Sequence, residues 1–169
     1  MSIDIYAADE QHDETIDLDA WVALANGALT DEGVRGLAEV SLIFLDEPAI
    51  AALNQQFMGK EGSTDVLSFP IDNEPEPSGR VPDAGGSGPG EPPLPEIPQL
   101  VGDIVICPAV AARNAVEHEC PLDDELALLV VHGLLHLLGM DHENEAEAER
   151  MEAIEQELLT RFYRLSRRA

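Results

Sequence analysis

The chain has 169 residues, 44 % of them hydrophobic and only 4 % aromatic. That suffices for one domain with a real core, but hardly for a platform that stacks several bases. Its 34 acidic residues against 9 Lys and Arg leave a formal charge of −25. This balance excludes a sequence-blind binder of duplex DNA, whose affinity needs many phosphate-neutralising cations, and a polybasic membrane-surface protein. It leaves room for an enzyme that meets RNA through a local patch.

Ile3 and Ile5 alternate with polar neighbours over Ser2 to Tyr6, which predicts a short strand. Asp17 and Asp19 head a helical pattern of Leu18, Trp21, Val22, Ala25 and Leu29, an amphipathic helix facing a core. Gly33 and Gly36 mark the next connection. Val40 to Leu45 is rich in apolar strand formers, stops at Asp46, and predicts the strongest strand. Pro48 fits the first turn of a helix whose buried face is Ile50, Leu53 and Phe57. Asp65 to Ile71 predicts a further strand, with Pro70 marking an edge or an end.

The segment 72–98 breaks the pattern. It holds eight of the twelve prolines, five of the thirteen glycines, six acids and a single cation, Arg80. Such a composition cannot bury enough apolar surface to offset its ordering entropy, so a long mobile insertion is expected. Leu100 to Cys107 predicts a strand, and Pro108 to about Glu117 a helix. A further helix runs from Pro121 to Leu138, with Gly139 as its left-handed stop. This stretch ends a nearly apolar run, Leu126 to Met140, that is shorter than the about 20 residues a bilayer span needs. The last helix is expected over roughly 144–165. Met151, Ile154, Leu158 and Phe162 form its inner face, and Glu145, Glu149, Glu152 and Glu155 its solvated faces. The order β-α-β-α-β-loop-β-α-α-α predicts one α+β domain over 1–169. Its small mixed sheet, of about four strands, is covered by helices, with the helix ending at Leu138 at the centre. With no basic stretch leading into an apolar run near the start, a cytoplasmic location is expected. Cys107 and Cys120 are read as two reduced, partly buried thiols.

The informative stretch is His132-Gly133-Leu134-Leu135-His136-Leu137-Leu138-Gly139-Met140-Asp141-His142. His132 and His136 stand four apart, so they share one face of a helix a single turn apart. Gly139 can take positive φ and reverse the chain, bringing His142 back towards them. Three neutral imidazoles with a fourth position for water make the donor set of a catalytic zinc site. One zinc ion held by His132, His136 and His142 is therefore expected, although the ligand types also suit nickel or copper. Asp141 is either an outer hydrogen-bond acceptor for an imidazole or a turn residue. His12 and His118 lack such context and are read as solvated. The histidine and glycine positions are shared with the H-E-x-x-H-x-x-G-x-x-H pattern of metzincin peptidases. Where those carry their glutamate base, this chain has Gly133, which cannot accept a proton.

The motif His132-Gly133-x-Leu135-His136-Leu137-x-Gly139-x-Asp141-His142 resembles the signature of the YbeY family of bacterial rRNA maturation endoribonucleases. Gly59-Lys60 with Thr64-Asp65-Val66-Leu67-Ser68-Phe69-Pro70 resembles a second block of that family, and Gly102-Asp103-Ile104-Val105-Ile106-Cys107 a third. The likeness runs from Leu42 to Leu159 outside 72–98, which looks like an insertion. The resemblance implies an α+β fold with the metal histidines at the bottom of a cleft between sheet and helices. It implies zinc ligands His132, His136 and His142, and a single-strand-specific zinc endoribonuclease acting in 16S rRNA 3′-end maturation and ribosome quality control. rRNA and the small ribosomal subunit are the implied partners, with ribosomal or assembly proteins beside them; no DNA or membrane partner is expected.

Many family members carry an arginine in that cleft where this sequence has Met58. Methionine can neither hold a phosphate nor stabilise transition-state charge. Lys60, the only lysine, is the candidate substitute phosphate contact, and Arg113 is a weaker one. Lys60 and Asp141 are the candidates for a catalytic role. Two other readings are a ribosome-associated assembly factor with a mainly structural zinc, and a metzincin-like peptidase.

Overall fold

The computed structural model describes residues 3–34, 38–71, 99–140 and 144–164. The expected insertion at 72–98 lies outside them, as do Asp141 and His142. The elements are β1 (Ile3–Glu10), α1 (Leu18–Asp31), β2 (Ala38–Leu45), α2 (Glu47–Met58), β3 (Val66–Pro70), β4 (Gln99–Ile106), α3 (Pro108–Glu117), α4 (Leu122–Leu137) and α5 (Glu145–Leu159). A π-helical turn, Thr160–Arg164, follows. The sheet order is β1-β2-β4-β3. β1 pairs parallel with β2, and β2 with β4, whereas β3 runs antiparallel to β4. This is the expected α+β fold with a small mixed sheet, and β3 is an edge strand, where Pro70 is tolerated.

Local chemistry accounts for the boundaries. Asp46 accepts the backbone N–H of Ala49 at 3.0 Å and starts α2. Asn144 accepts that of Glu147 at 2.8 Å and starts α5. Each such cap is worth about 1 kcal/mol. In β2, Ala38, Val40, Leu42 and Phe44 are buried and their alternating neighbours are half-buried, the period-2 signature of a strand with one face on the core. Helix α4 is apolar nearly all round because it is enclosed: it packs against α1, α3, α5, β3 and β4. The functional helix is thus the centre of the core. Among the described residues no helix is long and apolar enough to cross a membrane.

Three elements depart from the sequence-based expectation. β1 runs on to Glu10, because Ala7 to Glu10 continue the ladder opposite Leu42 to Leu45. Phe57, expected on the buried face of α2, is 57 % exposed. The small core under α2 is already filled by Ile50, Leu67, Val105 and Cys107 with Leu53 and Phe69. Phe57 instead meets Phe69 edge-on, ring centroids 5.4 Å apart. Helix α5 stops at Leu159 rather than near 165, and the chain widens into the π turn. There Phe162 lies over Gly27, where a Cβ would sit 2.6 Å from the ring. Tyr163 donates its hydroxyl to Asp124 at 2.7 Å.

Both cysteines are unpaired. Desolvation raises the pKa of each, so neither is poised as a thiolate nucleophile. His118, read as solvated, has an exposed ring, but its Nδ1 lies 3.0 Å from Oε2 of Glu125, which is only 4 % exposed. The hydrogen bond to Glu125, then the charge of that carboxylate, raises the His118 pKa. A raised folded-state pKa adds stability fully present below the ordinary imidazole value and lost as pH rises through the raised one. The thermal-unfolding advantage of the wild type over a His118→Gln variant should therefore be largest near pH 6 and fade towards pH 8. An advantage independent of pH would show that the pair acts by packing alone.

Candidate metal centre

Two helix ends and one strand edge build the site. α4 ends in a left-handed turn: Gly139 has φ +93°, its N–H reaches the His136 carbonyl at 3.0 Å, and the Met140 N–H reaches Leu135 at 3.0 Å. This turn leaves His136 in the last turn of the helix, with His132 one turn before it. Their Nε2 atoms are 2.9 Å apart and the rings stand at 79°. Two imidazole nitrogens bound to one tetrahedral zinc lie about 3.4 Å apart, so the observed convergence needs only a small opening. On its other side, His132 Nδ1 is 2.5 Å from Oε1 of Glu155. A carboxylate there accepts a hydrogen bond from the Nδ1–H and leaves the Nε2 lone pair facing the second histidine.

Glu155 is the residue that sequence reasoning misplaced. Expected on a solvated face of α5, it is 7 % exposed. It stands one turn from Met151 and one from Leu158, both buried, so it belongs to the inner stripe of α5, and His132 is the partner that stabilises its charge there. An acid in the register of an apolar stripe is the signal that could have found it.

The opposite wall is the α2–β3 connection. α2 ends at Gly59, φ +65°, with Gly59 N–H on Gln55 and Lys60 N–H on Asn54. Buried Asn54 donates its side-chain amide to the Gly62 carbonyl at 3.0 Å, which ties down the loop carrying Lys60. Ser68 on β3 donates to the Gly133 carbonyl at 3.2 Å and joins strand to helix. The resulting cleft, of about 710 Å³, is lined by Met58, Lys60, Ser68, His132, His136 and Met140, among others. Asp65, also in its lining, is occupied: it accepts from the Val66 N–H at 2.8 Å and from Asn114 at 3.2 Å.

The structure thus brings His132, His136, Lys60 and Met58 to one cleft. It does not bring Arg113 there; that guanidinium is paired with Glu47 at the start of α2. Asp141 and His142, the remaining candidates, lie outside the described residues, and among those described no group of three metal-ligating side chains forms. Gly133 faces the sheet, since a Cβ there would lie 2.9 Å from Ile104 Cγ2 and 3.3 Å from Ser68 Oγ. An acid at that position would point into the sheet against Ile104 and Ser68 rather than into the cleft.

Sheet, enclosed helix and converging imidazoles define a small α+β protein whose cleft is floored by paired histidines. The family model described as Endoribonuclease YbeY matches residues 6–163, and the chain belongs to that family. A relative from Salinispora tropica named Endoribonuclease YbeY is 46 % identical over 145 residues, covering 85 % of this chain and 87 % of its own. One of the same name from Corynebacterium kroppenstedtii is 38 % identical over 163 residues, covering 96 % of this chain and 75 % of its own. The solution structure of TM1509 from Thermotoga maritima is similar in fold, with a TM-score of 0.55 and 26 % identity, covering 94 % of this chain and 90 % of the other.

Proposed function

We propose that the chain is a single-strand-specific zinc endoribonuclease acting in 16S rRNA 3′-end maturation and ribosome quality control. In this reading it works in the cytoplasm on the small ribosomal subunit. The observation that carries the metal is the 2.9 Å convergence of two Nε2 atoms with Glu155 behind one of them. The donor chemistry fits zinc, and His132, His136 and His142 would hold it. Bound there, zinc supplies polarisation of a phosphoryl oxygen and a water of lowered pKa.

The chain's own groups do the rest. Glu155 fixes the tautomer and orientation of His132. Lys60 offers a point charge to a phosphate on the cleft wall. Met58 beside it offers apolar surface and no charge, which together with the acid excess favours the assembly-factor reading with a structural zinc. Peptidase chemistry of the metzincin kind has no support, because the position of its glutamate base is the sheet-facing Gly133.

The test is cleavage of single-stranded rRNA fragments by the full chain, with and without chelator, beside a metal assay. Cleavage should be lost with chelator and return with zinc. Stoichiometric zinc without any cleavage would support the assembly-factor reading, and chelator-insensitive cleavage would sink the zinc nuclease.

A further inference from the structure

Four cations have described side chains: Lys60, Arg113, Arg150 and Arg161. Arg113 is held by Glu47, and Arg161 by Asp31 at 2.5 Å and Glu157 at 3.1 Å. Lys60 and Arg150 make no ion pair among the described residues. Both border one continuous surface. Lys60 lines the histidine cleft. Arg150, exposed on α5, lines a second hollow of about 250 Å³ with Gly139, Met140, Glu147 and Met151. The two hollows meet at Gly139 and Met140, which line both.

An exposed arginine by itself marks only a solvated helix face. Arg150 differs in its place. Lys60 and Arg150 stand at the two ends of a lining that runs from Lys60 through His132 and His136 and over the Gly139–Met140 turn. A planar guanidinium suits a phosphate, which it can grip with two parallel N–H donors. We propose that Arg150 contacts a phosphate of the substrate strand, and that the strand follows this lining from Lys60 past the histidines. This rests on the endoribonuclease reading above. It also places a cation in the hollow next to a cleft in which Met58 carries none. Among the described residues, the acids near it include Glu147, in the same hollow, and Glu32 at the end of α1, whose carboxyl feels the Arg150 charge. Both would oppose a phosphate, so the contact is sensitive to salt and to removal of Glu147.

The experiment measures binding of a short fluorescent single-stranded RNA to the full chain in chelator, from about 50 to 200 mM salt. Each phosphate contact on a single strand contributes about 0.7 to the slope of log K against log salt. Lys60→Gln and Arg150→Gln should each lose about 0.7, and the double variant about twice that. Glu147→Gln should tighten binding at low salt. Circular dichroism checks that each variant folds. Wild-type slope and affinity in Arg150→Gln, with a reduced slope in Lys60→Gln, overturn the Arg150 contact and leave the endoribonuclease reading standing. A wild type that neither binds the RNA here nor cleaves it once zinc is restored overturns that reading itself.

Discussion

A His136→Ala variant should fold, lose its zinc, and cleave single-stranded RNA about 100- to 1000-fold more slowly than the wild type. Losing a metal that stabilises transition-state charge costs several kcal/mol, and each 1.36 kcal/mol is tenfold in rate. The fold should survive because the His136 side chain is only half-buried and faces the cleft, between Leu135 and Leu137, which are in the core. Glu155→Gln is the informative companion. A glutamine can still accept the Nδ1–H of His132 through its amide oxygen, but it lacks the charge that raises ligand basicity. Zinc affinity should fall about 10- to 100-fold by competition against a chromogenic chelator, with cleavage restored by excess zinc. Wild-type zinc content in His136→Ala would falsify the assignment. Unchanged affinity in Glu155→Gln would leave that carboxylate as a mere packing partner.

Most of the fold was legible because its elements carry local signals. Asp17, Asp46 and Asn144 stand at the caps, Pro48 and Pro108 in first turns, and Gly139 at a stop, and each does there what its chemistry favours. The paired histidines were legible for the same reason, since a spacing of four on a helix is itself a distance. What escaped depends on partners far apart in sequence. Phe57 obeys the helical period of α2, but whether that face is covered depends on β3 and β4, which fill the space first. Glu155 reads as one more glutamate in an acidic helix until α4 is placed against α5 and His132 supplies its bond. Arg150 likewise gains meaning only when the end of α4 is set beside α5. Arg113, on the helix that follows Gly102 to Cys107, lies beside Glu47, a pairing that spans 66 residues and that no local pattern announces.

Gly102→Ala should cost about 3–5 kcal/mol of stability, the largest loss expected from adding a methyl group at any of the described glycines. β4 bulges there: Glu39 pairs with Leu100 but Val40 with Gly102, so Val101 is the extra residue. Gly102 accommodates the bulge with φ +148°, outside the range of ordinary side chains. A Cβ would also meet the Phe69 carbonyl oxygen at 2.5 Å, Leu137 Cδ2 at 2.7 Å and the Pro70 Cα at 3.1 Å. Two of those atoms are backbone of the edge strand and cannot move aside as a flexible side chain would. At about 2–4 °C per kcal/mol for a domain of this size, the melting temperature should drop by about 10 °C. Gly133→Ala provides the contrast. Its Cβ would press on Ile104 Cγ2 at 2.9 Å, but at a helical position where alanine regains about 1 kcal/mol of propensity, so the net loss should be smaller. Calorimetry or urea unfolding of both variants decides. Gly102→Ala within 1 kcal/mol of wild type would mean that β3 can shift outward freely. In that case the wall of the cleft opposite the histidines would not be fixed by the sheet, because Ser68, which binds the Gly133 carbonyl, rides on the same strand. A large loss in Gly102→Ala, with zinc binding kept in the folded fraction, means that the bulge sets the distance between β3 and α4, and with it the width of the cleft.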